Sequence, residues 1–167
     1  ILIAERAVLT TSGGLASLIE WRSHRIKRVC RSTLAAKTQA CGAAVDAALY
    51  LRALSAEILL HDYSPGRDGP PNPKFTPCVI ITDCRSLYDL LIREGSLTTI
   101  TEKRLAIDLA CMIDMVEELQ VDDPRELFKW VPTTEMWADY LTKVMPENAR
   151  RAVLDRGWVR LARPRDG

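Results

Sequence analysis

The stretch from Thr33 to about Leu60 constrains the fold of this chain more than any other. Ser32 or Thr33 can cap it, and its alanine-rich sequence has high helix propensity. Val45, Leu49, Leu51, Leu54 and Ile58 give it a broad apolar face. At 1.5 Å per residue such a helix runs about 40 Å. A helix of that length needs a sheet to pack across.

The flanking sequence supplies strands for one. Residues 1 to 31 read as Ala7–Thr11, a turn at Ser12-Gly13-Gly14, Leu15–Trp21, a short basic turn, and Ile26–Cys30. The run Val79-Ile80-Ile81 is continuously apolar, as a central strand covered on both faces is. Leu127–Val131 is a second such strand, closed by Pro132. Between these two, a short helix starts at Arg85 or Ser86 and reaches about Ile92. A longer one spans about Glu102 to Leu119, with Leu105, Leu109, Met112, Ile113 and Val116 on one side. Thr133 or Thr134 caps a helix carrying Asp139, and a further short helix spans about Glu147 to Leu154, ahead of Gly157–Leu161. This order predicts an α/β fold, a mixed sheet flanked by helices, with the two apolar strands as neighbours beneath the long helix. A single domain over 1–161 is expected, with a Pro/Gly-rich internal loop at 61–77 and a tail at 162–167.

The chain has 167 residues, 47% of them apolar, and no uninterrupted apolar run near the roughly 20 residues a membrane span needs. No signal peptide pattern opens it, so an intracellular protein of cytoplasm or nucleus is expected, without a membrane partner. The start at Ile1 suggests excision from a longer reading frame. Five cysteines without a CxxC pair indicate neither a disulfide framework nor a zinc site. Cys78, Cys84 and Cys111 read as core or near-core thiols, and Trp21, Trp130 and Trp137 as core more than stacking platforms. The net charge is only +1, but Arg22, Arg25, Lys27, Arg28 and Arg31 fall between Trp21 and Arg31 with no acid among them. Such a cluster neutralises phosphates, or guards an exposed strand edge.

Two aspartates carry the chemistry. Asp83 ends the Val79–Thr82 run, and Asp139 sits at the start of its helix. Carboxylates converging from a strand end and a helix start can hold a hard divalent cation. Asp83 can equally cap the helix that follows it. Ser32 and Thr33 stand where hydroxyls and free N–H groups either cap a helix or bind phosphate. Arg85 is placed to touch a phosphate or to pair with Asp83. Lys37, in Ser32-Thr33-Leu34-Ala35-Ala36-Lys37, would repel a cation held nearby.

Five segments in order make the chain resemble the ribonuclease H domain of copia-type (Ty1/copia) LTR retrotransposon polyproteins. They are Ile19-Glu20-Trp21-Arg22-Ser23, Val29–Lys37, Thr82-Asp83-Cys84-Arg85-Ser86-Leu87, Thr101–Asp108 and Trp137–Lys143, within roughly residues 8 to 145. The resemblance implies a mixed five-stranded sheet and cleavage of the RNA strand of RNA–DNA hybrids, with two Mg2+ or Mn2+ ions held by four acids. It implies an upstream reverse transcriptase domain as a partner. The third and fourth acids fall on Asp83 and Asp139. The second, a glutamate in the family, falls on Lys37, and no acid-bearing strand matching the first is found in residues 1 to 11. The expectation is a degenerate ribonuclease H-like domain with little or no hybrid cleavage and weakened or lost metal binding. The alternative is a non-catalytic nucleic-acid-binding or structural module of a retroelement polyprotein, working through Arg22, Arg25, Lys27, Arg28, Arg31, Ser32 and Arg85. A working nuclease that recruits its missing acid from an upstream segment is a third reading.

Overall fold

The computed structural model describes residues 1–5, 8, 13–22, 26, 27, 29–72, 77–92, 100–118, 127–142 and 157–159. It is a mixed α/β structure whose chain divides into two compact units, residues 28–129 and residues 1–27 with 130–167.

The first unit is built on α1, Thr33–Leu59. Ser32 caps it in extended conformation, its Oγ accepting from the Ala35 N–H at 3.1 Å, a bond whose loss costs about 1 kcal/mol. Two short strands, β3 (Ile80–Thr82) and β4 (Phe128–Trp130), pair as the sequence predicts. Between them come α3 (Arg85–Ile92) and α4 (Lys103–Glu118), and α1 packs against β3, α3 and α4. The core repeats the helical period: Leu87 and Leu91 from α3, and Leu105, Leu109, Met112 and Val116 from α4, meet Val45, Ile80, Leu127 and Phe128. Full burial of one such leucine is worth about 1.5–3 kcal/mol.

α1 buries only part of the stripe its larger residues suggest: Val45 is fully buried and Leu49 packs against the core, but the C-terminal end of the stripe does not. Ala35, Thr38, Cys41, Val45, Arg52 and Ala56 face inward, whereas Leu54 is 38% and Ile58 72% exposed. Ala35, Cys41 and Val45 join Leu105, Leu109 and Met112 of α4 in the core, and Leu54 and Ile58 are left outside it. The proline-rich segment is partly built too. It contains α2 (Pro65–Asp68), and Arg52, only 4% exposed, donates from Nη2 to the Pro71 carbonyl at 2.5 Å. The Tyr63 hydroxyl donates to Gly69 O at 2.7 Å, and Asp68 Oδ2 accepts from the Ser64 N–H at 2.8 Å.

The second unit holds an antiparallel sheet in the order β1-β2-β5, from Leu2–Ala4, Gly14–Leu18 and Trp158–Val159. The first strand is Leu2–Ala4, ahead of the expected Ala7–Thr11, of which Val8 alone is described. Val8 lies in a helical turn, 2% exposed, and its Cγ2 would stand 3.2 Å from a β-carbon on Gly14. Val8 fills the unit's interior while Leu2–Ala4 takes the strand position, and Gly13 re-enters the sheet at φ 73°. Ile26, Lys27, Val29 and Cys30 are outside any strand, and the rest of the strands expected over Ala7–Thr11 and Ile26–Cys30 lies outside the described residues, as does the helix expected at Glu147–Leu154. After β4 a short 3-10 turn (Thr133–Glu135) precedes α5 (Trp137–Thr142), so the helix bearing Asp139 starts later than a Thr133 or Thr134 cap implies.

Trp21 is 57% exposed, and Cys111 is also exposed, contrary to the core positions expected of them. The five cysteines are free thiols. No helix among the described residues is long and apolar enough to cross a membrane.

Candidate functional site

Lys37 stands one turn inside α1 because Ser32 fixes where the helix begins. Asp83 follows the last residue of β3. The buried Thr82 turns the chain there, its Oγ1 accepting from the Cys84 N–H at 3.1 Å, and α3 begins at Arg85. The two elements bring Lys37 Nζ to 2.7 Å from Asp83 Oδ1, where the ammonium donates to the carboxylate. The Asp83 side chain is 11% exposed and that of Lys37 42%, so a largely desolvated carboxylate meets a cation that stays partly in water. A charge-assisted contact this short is among the stronger protein hydrogen bonds.

Two thiols of this unit are held protonated by burial. Cys41, one turn beyond Lys37 on α1, is pushed up to about 12 by burial and, to a lesser degree, by Cys84. Burial raises Cys78 as well, against the opposing pull of Arg52. A thiol held this far above neutrality is packing, not a nucleophile.

Arg85 takes a partner that the sequence reading did not weigh. Its Nε donates to Asp89 Oδ1 at 3.0 Å, one turn along α3, and its guanidinium lies 5.8 Å from the centre of the Tyr88 ring. The i,i+4 spacing of Arg85 and Asp89 is the available signal for this. Ser32 is an N-cap. Arg22 pairs with Glu20 at 2.5 Å on the surface, and Lys27 and Arg31 are exposed. Arg25 and Arg28 lie outside the described residues. Asp139, half-buried in the first turn of α5, belongs to the unit that holds the β1-β2-β5 sheet, and its N–H donates to Met136 O at 3.0 Å.

Arg52 is the polar residue that sequence reasoning missed. It lies seven residues after Val45 and four before Ala56, on the buried stripe of α1, and periodicity alone marks it as inward-facing. Among the described residues no three His, Cys, Asp or Glu side chains gather into a group able to hold a metal ion. The donor set around Asp83 does not fit a two-cation centre, because the position beside its carboxylate carries an ammonium. Comparison with protein-family models, with curated proteins and with solved structures finds no match to this chain.

Proposed function

We propose that this chain is a ribonuclease H-like domain of the copia retroelement type whose hybrid-cleaving centre is disabled, and that its remaining role is to hold nucleic acid. The observation that carries the proposal is the ion pair between Lys37 Nζ and Asp83 Oδ1 at 2.7 Å. Where the resemblance calls for a glutamate helping Asp83 to hold a cation, the chain supplies a cation of its own.

Three further features support the reading. Five motifs follow one another in the family's order. The strands β3 and β4 are paired, and Asp83 emerges at the carboxyl end of β3, where ligands of open α/β sheets gather. The α1 helix lies against β3 and carries Lys37 in the family's second acid position.

Electrostatics sets the consequence. A divalent ion bound to Asp83 would stand a few ångströms from the Lys37 ammonium. Their repulsion is on the order of several kcal/mol at an intermediate effective dielectric, lessened by water around the half-exposed lysine. The ion would also have to displace a hydrogen bond already made. Two-metal phosphodiester hydrolysis needs both ions to generate the nucleophile and to stabilise the leaving oxygen, and this donor set supports neither task. Hybrid binding needs no metal. The sequence is free of acids from Arg22 to Arg31, and within it Lys27 in one unit and Arg31 in the other are exposed cations, of the kind that contacts backbone phosphates.

Titration of Mn2+ by calorimetry tests this reading. The native chain should give no saturable binding at millimolar ion, whereas Lys37→Glu should bind at least about tenfold more tightly, because a repulsive charge becomes a ligand. Equal affinity in the two proteins would remove Lys37 from the account.

A further inference from the structure

The β1-β2-β5 sheet has its apolar residues on the wrong side. Ile3 pairs with Ser17 and Leu15 with Trp158, and the ladder continues where the Ile19 N–H donates to Ile1 O at 3.0 Å. Residues directly opposed across strands share a face, and steps of two along a strand stay on it. Ile1, Ile3, Leu15, Ile19 and Trp158 therefore share one face, and they are 41, 63, 53, 52 and 51% exposed. The opposite face carries Leu2, Ala4, Gly14, Ala16, Leu18 and Val159; Gly14 is buried and Val159 is 3% exposed, while Ala4 and Leu18, at the end away from β5, are exposed. An antiparallel sheet with one solvated face normally shows water its polar residues. Here water meets three isoleucines, a leucine and a tryptophan. Ser17 lies among them, and Glu5, next in the alternation, turns its carboxylate back onto the Leu15 N–H at 3.1 Å.

We propose that this face is a self-association surface, covered in solution by the same face of a second copy of the chain. The occupant follows from charge and area. Among its described residues the face presents no lysine or arginine side chain, so a polyanion finds no partner on them, and its one carboxylate, that of Glu5, is turned back onto the Leu15 N–H, which leaves the face able to meet itself about a two-fold axis. Two such faces stack at the usual spacing of about 10 Å between packed sheets. Five large side chains about half exposed offer on the order of 500–600 Å2 per copy, hence about 1,100 Å2 for a pair, just beyond the roughly 1,000 Å2 that a specific interface needs. The dimer is accordingly weak, with a Kd of about 1–100 µM.

Sedimentation velocity on the whole chain, from about 1 µM to about 1 mM, tests the proposal. A monomer–dimer equilibrium is expected in that range. Ile3→Glu should weaken it at least about tenfold at an unchanged melting temperature, since each copy would bury an unpaired carboxylate in an apolar contact. Leu15→Lys should do the same, and mixing the two variants should restore association as a heterodimer. If either variant melts early, Trp158→Ser on the edge strand replaces it. A native chain monomeric throughout the range would overturn the proposal. So would an Ile3→Glu protein that stays folded and dimerises as before, or association that grows past two copies. Co-sedimentation with phosphatidylcholine vesicles that Ile3→Glu abolishes would assign the face to lipid instead and equally overturn it.

Discussion

Lys37 Nζ lies 2.7 Å from Asp83 Oδ1, joining the first turns of α1 to the end of β3 across 46 residues of sequence. Removing either partner has unequal consequences. Lys37→Met leaves a carboxylate only 11% exposed with its cation gone, and should cost about 1–3 kcal/mol of stability. Asp83→Asn frees a lysine that is already 42% in water, and should cost less. Chemical denaturation of both single variants and the double variant checks this; a double variant more stable than Lys37→Met would show that the penalty comes from the Asp83 carboxylate left without its lysine.

The buried Arg52 anchors the segment after α1. Arg52→Met keeps the stem but loses the bond to Pro71 O. Stability should fall by about 1–2 kcal/mol, and amide exchange in residues 61–72 should quicken while α4 stays protected. Uniform exchange across both segments would make Arg52 a general core residue.

The thiols separate by burial. Cys111 is exposed and should react with a disulfide reagent within minutes at pH 8, whereas Cys41, pushed up to about 12, should react only on unfolding. The same shift sets a pH dependence. A thiol whose folded value is raised from 9.0 contributes fully below that value, and the contribution is lost as pH rises from 9.0 through about 12. Cys41→Ala should flatten the alkaline fall in melting temperature over that window.

If the basic segment binds nucleic acid, affinity for an RNA–DNA hybrid should fall steeply with salt, and alanine at Arg25, Lys27 and Arg28 should reduce both the affinity and the salt slope. An unchanged slope would reassign these residues to protecting a strand edge or to solubility.

Local signals made the first unit readable. The Ser32 cap and the alanine content fix α1, and continuous apolar runs fix β3 and β4 as sheet partners. Lys37 was legible as a neighbour of Asp83 only through the motif order of the resemblance, and the ion pair between them was not, because local sequence offers Asp83 either a cation shared with Asp139 or Arg85 as its partner. Side-chain size misled only along the C-terminal part of α1, where Arg52 and Ala56 are buried and Leu54 and Ile58 exposed, whereas Val45 and Leu49 face the core as expected. The first strand misled for a similar reason. Leu2–Ala4 and Ala7–Thr11 have comparable β propensity, and the choice rests on a long-range contact, Val8 against Gly14, that no local window contains.

The most direct test of the central claim is the fate of a labelled RNA–DNA hybrid incubated with the purified chain in Mg2+ or Mn2+. The Lys37–Asp83 pair predicts that the RNA strand stays intact at enzyme concentrations well above that of the hybrid. Metal-dependent cleavage by the native chain that disappears in Asp83→Asn would contradict the account, because it would show Asp83 serving a cation while Lys37 stands beside it.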